Sequence, residues 1–257
     1  MERRRFIALD GDDLVYGVHA VGEALTAGER LRSIHVAADR AKDARLRALL
    51  AQAGEQKVPV RFEQRGFFER VPFKAHQGVV ALAPPFPYVA LQEILRSSRP
   101  GARLVVVLDH LTDPHNVGAI IRTTEAAAGD GVVLPSRRSA GVNATVRKAA
   151  AGATAFLPIA RVPNLAEALR AMKRVGIWAV GADPGPDAVD VARADLNRDL
   201  ALVVGAEGAG LSNLIKRECD YLVKVPMRGR VSSLNTSVAA AILIYEALRQ
   251  RECSLRP

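Results

Sequence analysis

Cysteine is scarce: Cys219 and Cys253 are the only two in 257 residues, and neither stands in a CxxC or Cys/His ligand pattern. That argues against a disulfide scaffold and against a structural zinc site. Long apolar runs are missing too. No stretch approaches the roughly 20 uninterrupted apolar residues that span a bilayer, and the opening MERRRFIALDGDD lacks the apolar core of a leader peptide. The expectation is a cytoplasmic protein with no membrane partner. Internal repeats and low-complexity tracts are absent as well. What is present is globular in character, with 49% hydrophobic and 25% charged residues, enough for a proper core without metal or disulfide. The 36 Lys+Arg against 27 Asp+Glu leave a formal charge of +9, which favours a polyanionic partner.

Residues 14–84 alternate between helical and strand patterns. GVHAVGEALTAG reads as a short amphipathic helix stopped at Gly28, RSIHVAA as a strand, and DARLRALLAQAG as a helix ended by Gly54; VPVRFEQ and QGVVALA read as strands. This is a small α/β unit of a size that folds by itself. Pro84, Pro85 and Pro87, then Pro100-Gly101, make 85–102 a connection without regular structure. From 103 to 257 a second unit opens with RLVVVLDHL, a continuous β-branched run of the kind buried on both faces of a parallel sheet. Strand patterns recur at GVVLP, FLPIARV, GIWAVGAD, LALVVGAEG and YLVKVP, and LNTSVAAAILIYEALRQRE closes the chain as a helix. The alternation predicts a doubly wound α/β domain.

Ligands of open parallel sheets bind beyond the carboxyl ends of the strands, and three polar clusters fall there. LDHLTDPHNVGAIIRTTEA follows the first strand, VVGAEGAGLS the fifth and VPMRGRVSSLNTS the sixth. The run SSLNTS, directly before an apolar helix, has two readings. Its side chains either cap the helix by accepting from free N–H groups, or belong to a loop whose donors face a ligand. Gly205, Gly208 and Gly210 are spaced GxxGxG rather than GxGxxG, with no acidic residue at a strand end about 20 positions on, which disfavours a nicotinamide oxidoreductase. They still allow close backbone approach. Glu207 among them either accepts from a ribose or an amino group or is solvated. Pro114 and Asn116 look like helix-start residues, and Gly118 permits close packing. Arg122 lies about 240° round that helix from Asn116, so the two side chains leave on different faces and do not readily serve one site from one subunit. The alternative for Arg122 is a surface position or an ion pair with Glu125. His19, His35 and His76 have no partner pattern. His110 and His115 flank Asp113 without HExxH spacing, and no metal is expected.

Together, DPHNVGAIIRT, VVGAEGAGLS and VPMRGRVSSLNTSVAAAI resemble the three signature motifs of the SpoU/TrmH branch of the SPOUT RNA methyltransferases. Their order and spacing are more specific than any one of them. YGVHAVGEAL, HQGVVALAPP and the stretch KAAAGATAFLPIARVPNLAEALRAMKRVGIWAVGAD extend the resemblance over about 14–252, toward the RlmB type of bacterial 23S ribosomal RNA guanosine-2′-O-methyltransferase. The resemblance implies a SPOUT domain over 103–257 with a parallel sheet and a deep trefoil knot, and a small N-terminal α/β domain over 14–84 that binds the RNA substrate. It further implies S-adenosyl-L-methionine as cofactor, a homodimer, and large-subunit ribosomal RNA as partner. Carried over by motif position, the backbone around Gly205, Val225 and Leu234 holds the cofactor, with Met227 in the same loop. Asn116, Arg122, Glu207, Ser233 and Asn235 form the catalytic and ribose-binding set, Arg122 acting in the site of the partner subunit. SSLNTS then both caps the last helix and lines the site.

The implied reaction is 2′-O-methylation of a 23S ribosomal guanosine. The alternatives are a transfer RNA or antibiotic-site ribose methyltransferase and a non-catalytic RNA-binding assembly protein that has kept the fold. The last would be marked by loss of Arg122, Glu207 or Asn235, and all three are present. One departure falls at Ala128, where relatives commonly have glycine at a helix end. Residues 1–13, with Arg3, Arg4 and Arg5, are not covered by the resemblance and read as a basic extension in contact with RNA.

Overall fold

The computed structural model describes residues 14–26, 28–41, 43–71, 76–96, 101–231 and 233–254. The basic extension 1–13, Pro100 and Ser232 lie outside the described residues. The small unit runs β1 (Leu14–Tyr16), α1 (Val18–Thr26), β2 (Ser33–Ala37), α2 (Arg47–Glu55), β3 (Val60–Glu63), α3 (Arg65–Phe68) and β4 (Val79–Leu82). Its sheet has the order β1-β4-β2-β3, with β4 antiparallel to both neighbours and β2 parallel to β3. The VVAL run of β4 is apolar throughout because successive side chains enter two different cores. Val79 and Ala81 pack with Val21, Leu25 and Leu49 of α1 and α2, while Val80 and Leu82 pack with Tyr16 and Phe68. The helix expected from DARLRALLAQAG starts late: a 3₁₀ turn over Ala44–Leu46 precedes α2, which continues past Gly54 to Glu55.

The large unit continues with α4 (Leu91–Leu95), β5 (Leu104–Asp109), α5 (Pro114–Ala126), β6 (Gly131–Pro135), α6 (Ala144–Ala150), β7 (Ile159–Val162) and α7 (Leu165–Arg174). It closes with β8 (Trp178–Ala182), β9 (Val189–Asp190), β10 (Leu200–Gly205), α8 (Asn213–Glu218), β11 (Tyr221–Lys224) and α9 (Thr236–Ser254). One of these corrects the reading of 85–102: α4 forms there once the three prolines are past, and it buries Ile94 against the large sheet. The sheet is parallel throughout, in the order β7-β6-β5-β10-β8-β11-β9. β5 is buried on both faces. Leu104, Val106 and Leu108 enter the core shared with α5 and α9, and Val105 and Val107 the core shared with α7 and α8. From β5 the chain first moves outward through β6 and β7, then returns to build the other half. The order therefore reverses between β5 and β10, and such a reversal opens a crevice at the strand ends. No helix among the described residues is long and apolar enough to cross a membrane.

The two units meet at α6. The Arg147 guanidinium, 4% exposed, lies 2.6 Å from a Glu29 carboxylate oxygen and 5.3 Å from the centre of the Phe86 ring, and Lys148 stands 4.6 Å over Tyr16. Breaking a buried pair at one partner costs about 3–5 kcal/mol, so this contact resists separation of the units.

Helix α5 ends in a Schellman motif, in which Gly129 N–H donates to Thr124 O and Ala128 N–H to Glu125 O, each at 2.8 Å. The motif requires left-handed backbone at Ala128, whose φ is +54°. An L side chain there costs about 1–2 kcal/mol, and glycine's extra unfolded-state entropy takes back about 0.4–1. Ala128→Gly is therefore expected to raise stability by about 0.5–1 kcal/mol, read as a higher urea midpoint at unchanged slope. A lowered midpoint would show that the motif is not strained.

Candidate active site

A cavity of about 360 Å³ opens beyond the carboxyl ends of β8, β10 and β11, walled on one side by α9. Gly205, the last residue of β10, has no room for a side chain: a Cβ would stand 2.2 Å from the Gly210 carbonyl carbon and 2.4 Å from Leu211 N. The chain folds back tightly after it. Gly210 N–H donates to Ala206 O at 2.8 Å, and Gly208 and Gly210 have φ of +76° and +65°, values that glycine takes without strain. Gly205, Val225, Met227 and Leu234, the four positions expected to hold a cofactor, all line this cavity. The main chains of Val225 and Leu234 make no hydrogen bond among the described residues. A cavity of this size with apolar walls and backbone groups left to bond a ligand is that of a small-molecule site.

Beside the cavity the three clusters join through hydrogen bonds. Asn116, 6% exposed in the first turn of α5, donates from Nδ2 to Glu207 Oε2 at 3.4 Å and accepts at Oδ1 from Asn235 Nδ2 at 3.0 Å. Asn235 Oδ1 accepts in turn from Ser237 N at 3.0 Å, from Val238 N at 3.3 Å and from the Ser237 hydroxyl at 2.6 Å. Asn235 is thus the cap of α9, and Ser233 lines the cavity instead. The two readings of SSLNTS fall on different residues of the run. Thr236 adds a long hydroxyl contact to Gly205 O at 3.4 Å. Asn235→Ala is expected to cost about 1 kcal/mol of stability and Ser233→Ala less than about 0.5, as measured by urea unfolding. Equal losses would contradict the cap assignment.

Arg122 stands apart from this group. It is exposed, it does not line the cavity, and it forms no ion pair with Glu125 or any other described residue. One chain therefore brings together Asn116, Glu207, Ser233 and Asn235 and leaves Arg122 outside.

Among the described residues no group of three or more His, Cys, Asp or Glu side chains is gathered to hold a metal. Asp113 caps α5 by accepting from His115 N at 2.9 Å. His110 donates from its ring to buried Asp109, whose other oxygen accepts from Ser212 N at 2.7 Å, so the end of β5 braces the far end of the Glu207 loop. Cys219 packs against Gly181, and burial, helped by the Asp220 charge, pushes its thiol up to about 12. It is an inert core residue.

Sequence reasoning missed Asp183, which is 6% exposed at the end of β8, lines the cavity, accepts from Gly185 N at 2.8 Å and pairs with Lys216. Its signal was available as a carboxylate at a strand end in GIWAVGADPGP.

Comparison with known proteins adds to this geometry. The SpoU rRNA methylase family matches residues 103–245, and the domain described as RNA 2′-O ribose methyltransferase substrate binding matches 14–89. A TrmH-family tRNA/rRNA methyltransferase of Staphylococcus haemolyticus is 39% identical over 93% of this chain and 96% of its own length. The crystal structure of the SpoU methyltransferase AviRb from Streptomyces viridochromogenes with AdoMet is 30% identical, covers 94% of this chain and 91% of that one, and superposes with a TM-score of 0.80. An AdoMet-bound rRNA methyltransferase from Sinorhizobium meliloti is 25% identical, covers 92% of this chain and 87% of that one, and has a TM-score of 0.74.

Proposed function

The chain belongs to the SpoU rRNA methylase family, and from that premise we propose that it transfers a methyl group from S-adenosylmethionine to a ribose 2′-hydroxyl of 23S ribosomal RNA, at a guanosine, as the RlmB type does. The observation that carries this reading is the meeting of three sequence-distant clusters at one cavity, with Gly205, Val225 and Leu234 around it and Asn116, Glu207 and Asn235 bonded beside it. The Sinorhizobium protein, which matches across both units, is an rRNA methyltransferase by name, and that supports ribosomal RNA. The Staphylococcus relative carries both tRNA and rRNA in its name, which keeps transfer RNA as the second reading.

S-adenosylmethionine supplies a sulfonium methyl group that is already a good electrophile. The protein's work is to hold the 2′-oxygen in line, about 3 Å from it, and to favour loss of the hydroxyl proton. Asn235 spends its carbonyl on the cap of α9 and one amide hydrogen on Asn116, and its second amide hydrogen is left to donate to the ribose. Ser233 offers a hydroxyl from the same loop. Arg122 is a poor proton acceptor, because a guanidinium stays charged in water. Its part is to stabilise the developing alkoxide, while an RNA phosphate takes the proton.

That part requires a second copy of the chain. Val238, Ile242 and Tyr245, 47%, 38% and 49% exposed, form an outward apolar stripe on α9, the helix whose Ala239 and Leu243 wall the cavity. A stripe of this kind fits the same surface of a symmetric partner, and the homodimer would carry Arg122 of each chain to the other's cavity. The reading also takes in a trefoil knot within 103–257, the RNA-binding role of 14–84 and a cytoplasmic location. The target is tested by offering ribosomal and transfer RNA, from cells lacking the activity, with radiolabelled cofactor. Label at one guanosine 2′-oxygen of 23S RNA is the expected result, and label confined to transfer RNA would favour the second reading.

A further inference from the structure

A second cleft, of about 390 Å³, lies in the small unit where the parallel strands β2 and β3 end side by side. Its walls include Asp39, Arg40, Glu63, Arg65, Phe68 and His76. The two acids balance the two arginines, so the lining as a whole does not select an anion. Arg40 is in addition paired with Asp43 and bonded to the Gln77 carbonyl. The cleft is not built to take a phosphate as its main ligand.

Its other features are those of a site for a flat, neutral heterocycle. His76 is the partly exposed ring of the wall: it faces Phe68 at 5.1 Å and 28°, and Phe68, 7% exposed and packed in the core, is backed in turn by Phe67 edge-on at 5.2 Å and by the stack of Phe67 on buried His35 at 4.7 Å and 10°. His76 Nδ1 accepts from Gly78 N at 2.9 Å, which places the ring proton on Nε2. Burial, with Lys148 nearby, lowers the pKa of this ring, so it is neutral near pH 7. Glu63 uses Oε1 to hold His35 Nδ1 at 3.0 Å, and its other oxygen can accept from a ring N–H. Gln64 and Arg65, both exposed, are planar groups with donors; Arg65 holds Glu69 only loosely, at 3.6 Å through Nε. A braced ring for stacking together with planar donors and an acceptor is the means by which proteins read an unstacked base of single-stranded RNA.

We infer that the cleft at the ends of β2 and β3 is a nucleobase site, which takes one unstacked base of the RNA at a position other than the methylated nucleotide. The inference rests on the reading of the substrate as RNA. It deepens that reading by naming where, in the small unit, the RNA is read rather than merely attracted.

The test uses the full chain and two probes, a mixed-sequence single-stranded RNA and the same strand made abasic. The expected result is that the wild type prefers the intact strand by about tenfold, within the range for a stacked base. The double variant Gln64→Ala/Arg65→Ala should reduce that preference to about twofold. Gln64 stands at the N-cap position of α3 without a side-chain cap bond, and Arg65 makes only an exposed 3.6 Å pair with Glu69, so the variant keeps its fold, which an unchanged urea unfolding midpoint of the small unit would verify. A preference that survives the double substitution would overturn the inference. So would equal weakening of both strands with the salt slope falling by about one, the signature of a phosphate contact. Methyl transfer to cellular RNA by the wild type is scored in parallel. If transfer occurs while base preference is absent, the nucleobase site alone fails; if the wild type transfers no methyl group to RNA, the underlying reading fails.

Discussion

Arg122→Ala is expected to slow methyl transfer by about 100- to 1,000-fold, the loss typical of one charge-stabilising donor, while S-adenosylmethionine binding stays within about twofold. The side chain is exposed, forms no ion pair among the described residues and lies outside the cavity of its own chain, so its removal should disturb neither the fold nor the cofactor. Arg122→Lys should recover little, because a point charge does not replace a planar fork. The sharper form of the experiment mixes two inactive proteins, Arg122→Ala and Glu207→Ala, and lets the subunits exchange. If each site takes its arginine from the partner, a mixed dimer holds one complete site. Random pairing in a symmetric dimer then restores about a quarter of wild-type activity. No recovery on mixing would mean that Arg122 acts within its own chain or not at all.

Gly205→Ala should have the largest effect on the cavity itself. The new methyl group would stand 2.2 Å and 2.3 Å from the carbonyl carbon and oxygen of Gly210. Those are backbone atoms, and they move only if the whole turn moves. A loss of about 1–3 kcal/mol in stability is expected from such overpacking, with S-adenosylmethionine affinity falling at least 100-fold, as calorimetry would measure. Gly176→Ala, in the turn between α7 and β8 and away from the cavity, is the control. It meets nothing within 4 Å, although its φ is +83°, so it should cost about 1–2 kcal/mol of backbone strain and leave affinity near wild type. Equal affinity losses in the two variants would mean that general destabilisation, not the Gly205–Gly210 contact, governs binding.

Much of the fold was legible because continuous apolar runs such as Leu104–Asp109 and Leu200–Gly205 have few alternatives to a doubly covered parallel strand. The gathering of polar clusters was legible through the strand-end rule, and so was the divergence of Asn116 and Arg122, through helical periodicity. Other features depended on neighbours distant in sequence. β1 is three residues long and β9 two, too short for any period to appear. α4 is a single turn stabilised by Ile94 entering the core, which propensity alone does not reveal. Which residue of SSLNTS caps α9 could not be read from the run, since serine and asparagine cap equally well; Asn116 decides it by engaging Asn235 from 119 positions away. Asp183 looks like a turn residue before Pro184. It joins the cavity only because β8 lies between β10 and β11.

The most direct measurement is the chemical position of the transferred methyl group. RNA labelled by the protein with radiolabelled S-adenosylmethionine is hydrolysed in alkali, which cleaves a phosphodiester only through a free neighbouring 2′-hydroxyl. If the site methylates ribose 2′-oxygens, all of the label will remain in alkali-stable dinucleotides. Label recovered in mononucleotides, as a base methylation would leave it, or no label in RNA while the cofactor still binds, would contradict the account.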